Sequence, residues 1–205
     1  MTASIKKKSI LFLTTVLGVI AIDQWSKYVV RTSWELQNMD IIPGWLSFHY
    51  TKNPGMALGI DFLDTFYVSL FALIATFVIL GYIIKNIKSA NVPFMFLMGL
   101  IVGGAIGNLL DRIFMGYVGG YGGFLEGHVV DFIHFTLKIN DWPVFPYIFN
   151  MADVAISCAV IMFILFNKKF FPEEKLVDQD LNLTDESTYS QENDIQDSTT
   201  ESKVN

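Results

Sequence analysis

Four long apolar runs constrain this chain more than any other feature: about residues 9–30, 62–84, 92–115 and 146–166. A ~30 Å hydrocarbon layer is crossed by roughly 20 helical residues at ~1.5 Å rise each, so runs of this length read as membrane spans. Backbone N–H and C=O groups cannot stay unpaired in lipid, which limits spanning structures to helices and closed barrels. Continuous apolar runs, rather than ten-residue alternating segments, select helices. The expected fold class is an all-α polytopic membrane protein with four transmembrane helices in one domain, residues 1–171. The 52% hydrophobic content agrees, although a soluble core could have the same composition.

The loops supply an orientation. Lys6, Lys7 and Lys8 precede the first run, Lys85 and Lys88 separate the second and third, and Lys168 and Lys169 follow the fourth. The positive-inside rule therefore puts both termini in the cytoplasm and the two longer loops outside. The lysine-led first run resembles a secretory signal, but no small-x-small cleavage site follows, so an uncleaved helix is expected. Trp25, Trp34, Trp45 and Trp142 all fall near the expected outer interface, where indoles concentrate.

Between residues 34 and 60, short β-like stretches at 40–42 and 45–50 are broken by Pro43-Gly44 and Asn53-Pro54-Gly55. They suggest a small extracytoplasmic β-element lying on the membrane surface. Residues 116–127 hold six glycines and read as a mobile loop. From Pro172 onward ten acidic residues stand against Lys175 and Lys203, in a segment almost free of aromatics. Residues 172–205 therefore read as a disordered cytoplasmic tail, and the net charge of −6 belongs to that tail rather than to the body. The single cysteine, Cys158, sits in an apolar run and reads as a small helix residue.

Charged groups inside spans cost ~2.5–3.5 kcal/mol each on insertion scales and direct attention to function. Asp23 lies about 20 Å up the first run and Asp111 about 28 Å up the third, while Asp153 is about 10 Å below the start of the fourth. All three fall in the same outer third, with Asp131 on the loop just before the fourth run. Asp23 and Lys27 share a helix face at i,i+4, and Arg112 follows Asp111, so these residues could be interfacial ion pairs that hold helices together. Asn108 lies one turn before Asp111, and Asn150 one turn before Asp153. Gly103, Gly104 and Gly107 thin the third run and permit close approach of a neighbour. Asp131 and Asp153 have no basic residue within a turn.

If Asp131 and Asp153 face each other, both cannot comfortably ionise. Like charges ~4 Å apart at an effective dielectric near 20 repel by about 4 kcal/mol, or about three pKa units. One shared proton then lets an ionised carboxylate activate water while its protonated partner polarises a carbonyl. Two other readings use the same residues. His128, Asp131 and His134, spaced three apart, could ligate a metal, although no H-E-x-x-H is present. A proton-coupled transporter also places carboxylates in the membrane, although it tends to show internal repeats and broken helices, neither apparent here.

The ordered blocks are Asp23-Gln24-x-x-Lys27, Asn53-x-Gly55-x-Ala57-x-Gly59, Gly103-Gly104-Ala105-x-Gly107-Asn108-x-x-Asp111-Arg112, Val129-x-Asp131-Phe132 and Asn150-x-Ala152-Asp153. Over roughly residues 9–166 the chain resembles the bacterial lipoprotein signal peptidases (signal peptidase II). That resemblance implies an aspartyl endopeptidase of the inner membrane that cleaves prolipoproteins just before a diacylglyceryl-modified cysteine. It implies Asp131 and Asp153 as the catalytic dyad near the periplasmic face. Asn53, Asn108, Arg112 and Asn150 would position substrate or dyad, with Asp23, Lys27, Asp111, Gly55 and Gly104 in supporting roles. Lipid-modified prolipoproteins and membrane lipids are the expected partners. No nucleic acid, metal or cofactor is expected, and the chain is expected to act as a monomer. It departs from the family pattern at Leu58, where an aromatic is common, and in Pro54 and the Gly-rich 116–127 loop.

Overall fold

The computed structural model describes residues 3–55 and 64–166. Expectations for residues 62–63, Ala57, Leu58, Gly59, Lys168, Lys169 and the 172–205 tail lie outside the described residues.

Four α-helices occur among the described residues: α1 (Ala3–Thr32), α2 (Thr65–Asn86), α3 (Val92–Gly119) and α4 (Met151–Leu165). Two of them, α2 and α3, are long and apolar enough to cross a membrane. Charges at both ends of α1 and within it set it apart, and α4 has 15 described residues. Helix α3 occupies the centre and touches α1, α2 and α4. Its inner face buries Met95, Leu97 and Val102 together with Val16 of α1, Ile83 of α2 and Ala159 of α4. The outward faces are strongly apolar: Leu17 is 64% exposed, Phe77 65% and Ile164 67%. Apolar surface so continuous is unstable against water and suits a lipid surround.

A four-stranded antiparallel sheet sits at the end of the bundle where α1 finishes. Its strands are β1 (Asn38–Ile42), β2 (Leu46–Asn53), β3 (Val129–Phe135) and β6 (Ile148–Phe149), in the order β1-β2-β3-β6. A separate small hairpin pairs β4 (Lys138–Ile139) with β5 (Trp142–Pro143). The β1–β2 turn needs Gly44, whose φ of +76° lies in the left-handed region. Val130 and Phe132 of β3 pack against Val30 near the end of α1, which seats the sheet on the bundle.

The β-element is therefore larger than the loop pattern implied, because the segment carrying Asp131 joins it as a central strand. Two boundaries also move. The fourth helix starts at Met151, not near 146, because Asn150 caps it and Ile148–Phe149 pair with β3. The third helix runs on to Gly119, into the glycine-rich window, and ends where Gly120 takes a left-handed cap with φ +66°.

Candidate active site

The site forms where the ends of α1, α3 and α4 meet β2 and β3. Asn150, the N-cap of α4, is its junction. The Asn150 side-chain oxygen accepts from the Asp153 N–H at 3.0 Å, and the Asp153 carboxylate accepts from the Asn150 backbone N–H at 3.1 Å. This reciprocal capping box fixes both side chains to the first turn of the helix. The Asn150 amide also donates to Asp131 Oδ1 at 2.6 Å, so one residue links the two carboxylates that lack nearby cations in the sequence. Asp153 and Asp131 lie close enough for the charge of one to act on the other.

Each aspartate has a second amide donor. Asn53, at the end of β2, donates to Asp131 Oδ2 at 3.0 Å, and its own oxygen accepts from Gly55 N–H at 2.9 Å. Gly55 has φ +117°, and a Cβ there would come within 3.0 Å of Val68, so glycine is what lets the chain turn and aim the Asn53 amide. Asn108 of α3 donates to Asp153 Oδ1 at 2.9 Å. Asp131 is nearly buried at 3% exposure, whereas Asp153, Asn108 and Asn53 are half-buried. Burial raises the Asp131 carboxyl to about 6; the Asp153 charge adds to the shift, and the Asn53 and Asn150 hydrogen bonds and the Lys27 charge oppose it.

Behind the pair lies a buried ionic centre. Lys27 Nζ contacts Asp23 Oδ2 at 2.8 Å, Asp111 Oδ2 at 2.9 Å and Asn108 Oδ1 at 3.0 Å, which uses all three of its donors. Asp111 thus pairs with Lys27, not with its neighbour Arg112 as sequence adjacency suggested. Consecutive helix residues point in different directions, so a neighbour in sequence is a poor partner in space. The other Asp23 oxygen accepts from Ala152 N–H at 2.9 Å, and Asp111 accepts from Val130 N–H at 3.0 Å. The centre therefore pins the first turn of α4 and strand β3, the two elements that carry Asp153 and Asp131. Through Asn108, which accepts from Lys27 and donates to Asp153, it also reaches the pair directly.

Glycines let the helices approach this closely. A Cβ at Gly107 would stand 2.7 Å from Asp23 Oδ2, and one at Gly104 would stand 2.6 Å from the Ala152 carbonyl oxygen. Arg112 lies at the edge, its guanidinium within electrostatic reach of Asp131, Asp111 and Asp153. Its Nη1 makes only a long 3.4 Å bond to Asn108 O, and its buried Nε has no hydrogen-bond partner among the described residues.

Gln24 has a role that its place in the first motif did not disclose. Its amide donates to Gly107 O at 3.0 Å and to Asp111 Oδ1 at 3.1 Å, joining α1 to α3 beside the ionic centre. The residues of the metal reading are held apart: along β3 Asp131 and His134, three positions apart, face opposite sides, and His128 precedes the strand. The His128 ring lies tilted against Tyr121 and the His134 ring against His49, and no three such residues converge among the described residues.

Residues 15–168 match the family described as Signal peptidase (SPase) II. The lipoprotein signal peptidase of Pelodictyon phaeoclathratiforme is 34% identical over 174 residues, covering 80% of this chain and 94% of the relative. That of Streptomyces griseus subsp. griseus is 36% identical, covering 85% and 82%. A solved bacterial membrane enzyme, determined by the in meso method at 2.3 Å, superposes with a TM-score of 0.59 at 28% identity, covering 80% of this chain and 92% of that one. A family match over residues 15–168, with relatives above 30% identity along most of their length, shows that the chain belongs to the signal peptidase II family of membrane enzymes.

Proposed function

We propose that this protein is an intramembrane aspartyl endopeptidase that removes signal peptides from diacylglyceryl-modified prolipoproteins, cutting just before the lipid-modified cysteine. The observation that carries the proposal is the single asparagine, Asn150, tying Asp131 to Asp153 within a chain of this family. Buried and raised to about 6, Asp131 is the carboxyl that keeps the shared proton and donates it to the scissile carbonyl oxygen. Asp153, held by Asn108 and Asn150, acts as the ionised base.

The proton transfers balance. Asp153 takes one proton from water as the water oxygen bonds to the carbonyl carbon, and Asp131 gives its proton to the carbonyl oxygen. As the tetrahedral diol collapses, Asp131 recovers that proton and Asp153 passes its own to the departing amine, while the C–N bond breaks. The resting dyad, with one proton shared, is regenerated. The unused donors of Arg112 hold a backbone carbonyl of the extended substrate. Asp23, Lys27 and Asp111 brace α4 and β3, and Lys27 also steadies the pair through Asn108 and through its charge on Asp131.

The same reading has all four helices spanning the inner membrane, with both termini cytoplasmic and the dyad near the periplasmic face. Two observations support it: the sheet lies at the end of the bundle away from Lys6–Lys8, and Trp25, Trp34, Trp45 and Trp142 are 69%, 80%, 62% and 79% exposed. Purified protein in mild detergent, given a lipid-modified precursor and its unlipidated counterpart, tests the function. Cleavage of the lipid-modified form alone, unaffected by EDTA, is expected. Equal cleavage of both would remove lipid recognition from the proposal, and EDTA-sensitive activity restored by zinc would remove the dyad.

A further inference from the structure

A cavity with basic side chains in its lining lies on the face of the sheet away from Asp131. Successive strand residues alternate sides, so Val130 and Lys52, its partner on β2, face away from Asp131 and Asn53. These residues line a cavity of about 190 Å³ together with Arg31 at the end of α1, and with Tyr121 and His128 at the end of the glycine-rich loop. Water fills about 30 Å³ per molecule, so the space admits a tetrahedral anion with some of its hydration.

The lining is basic and has no carboxylate. Both ion pairs among the described residues belong to Lys27, so neither Arg31 nor Lys52 has an acidic partner there. The Arg31 Nη1 contacts Met115 Sδ at 2.9 Å, a weak acceptor that leaves most of a five-donor fork unused. Lys52 Nζ sits 5.3 Å over the Tyr121 ring, and the Tyr121 hydroxyl accepts from His128 N–H at 2.8 Å. The negative end of the α1 dipole offsets only about half a charge, which leaves the pair of cations net positive. An adjoining cavity of about 150 Å³ shares Arg31 and reaches Asp111, but that carboxylate is already engaged by Lys27, Gln24 and Val130.

The flank of the cavity is apolar and outward-facing: Val118 on its wall is 65% exposed, and Tyr28 beside it is 59% exposed. A guanidinium fork beside an ammonium is the arrangement that grips a phosphate, and an exposed apolar flank is where acyl chains lie. We propose that this cavity is a phosphate site that holds the headgroup of a membrane phospholipid against the back of the sheet, opposite the dyad. The bound headgroup joins Arg31 of α1 to Lys52 of β2 beside the glycine-rich loop. The site rests on the membrane seating proposed above but not on the dyad, so its test reads binding rather than cleavage.

Full-length protein in mild detergent is titrated with short-chain phosphatidylglycerol, with inorganic phosphate and with a short-chain diacylglycerol, and binding is read by native mass spectrometry and thermal shift. Saturable one-to-one binding of phosphatidylglycerol but not of diacylglycerol is expected, weakened roughly tenfold or more by Arg31→Gln with Lys52→Gln. Inorganic phosphate binding as tightly as the lipid would overturn the headgroup assignment. Phosphatidylglycerol affinity unchanged in the double variant would overturn the site. Should that variant fail to fold, Lys52→Gln alone, at an exposed position, must weaken binding in the same direction, and no change in it overturns the proposal.

Discussion

Replacing Lys27 with methionine tests how the site is held together. The substitution keeps an apolar stem of similar length but removes the only cation among the described residues within ion-pair distance of Asp23 and Asp111, which are 0% and 1% exposed. Breaking a buried pair by deleting one partner costs about 3–5 kcal/mol, because the remaining charge is stranded. An independent bound comes from the cheapest escape, which is to protonate one of the two carboxylates. For a group with a free-solution pKa near 3.9, that costs about 4 kcal/mol at pH 7 and about 1.5 kcal/mol at pH 5. The penalty is thus capped near 4 kcal/mol at neutral pH and shrinks as pH falls, because the folded variant takes up a proton that the unfolded chain does not bind. At ~2–4 °C per kcal/mol for a chain of this size, thermal unfolding in detergent should drop by roughly 8–16 °C at pH 7, and by well under half that at pH 5. Lys27→Met combined with Asp23→Asn should recover much of the loss. A single variant that melts within about 2 °C of wild type at pH 7, or whose deficit is equal at both pH values, would refute a buried ionic brace.

Asn53→Ala removes a donor that holds the Asp131 pKa down, so the alkaline limb of kcat/KM should move upward from about 6 by roughly one to two pH units. The direction follows from the dyad, since the shared proton is lost only when pH rises past the higher value; a downward shift would contradict the assignment of that proton to Asp131. Gly107→Ala should lower stability by about 1–3 kcal/mol through its clash with Asp23, whereas Gly81→Ala, with open space around it, should be neutral or raise stability by up to about 1 kcal/mol. Equal melting temperatures for these two variants would contradict the close approach of α1 and α3. Asn150→Ala removes the α4 cap and the link between the aspartates, and should cost about 1–2 kcal/mol in stability together with most of the cleavage rate.

The helices and the first hairpin were legible because their signals are local: an apolar run, or a turn residue between alternating stretches. What escaped was set by tertiary pairing. Val129–Phe135 is buried along its first four residues, so it shows no alternation to mark it as a strand, and Asp131 passed for a loop residue. The apolar Ile148–Phe149 blended into the fourth run, although Asn150-x-x-Asp153 is a capping signature that marks the true helix start. The partner of Asp111 came from another helix and could not be read from spacing along its own. The motifs named nearly all the residues that the fold brings together. The amide links among Asn53, Asn108 and Asn150 needed the sheet and α4 in register, and Gln24 could be placed only once α1 lay against α3.

In the proposed mechanism the catalytic work is shared by Asp131 and Asp153. That sharing is tested most directly by measuring single-turnover cleavage of a lipid-modified precursor by purified Asp131→Asn and Asp153→Asn proteins, with their melting temperatures recorded alongside. Both variants should remain folded and bind the precursor while cleavage falls below about one part in a thousand, a loss of at least ~4 kcal/mol of transition-state stabilisation. Cleavage within tenfold of wild type by either folded variant would contradict the dyad.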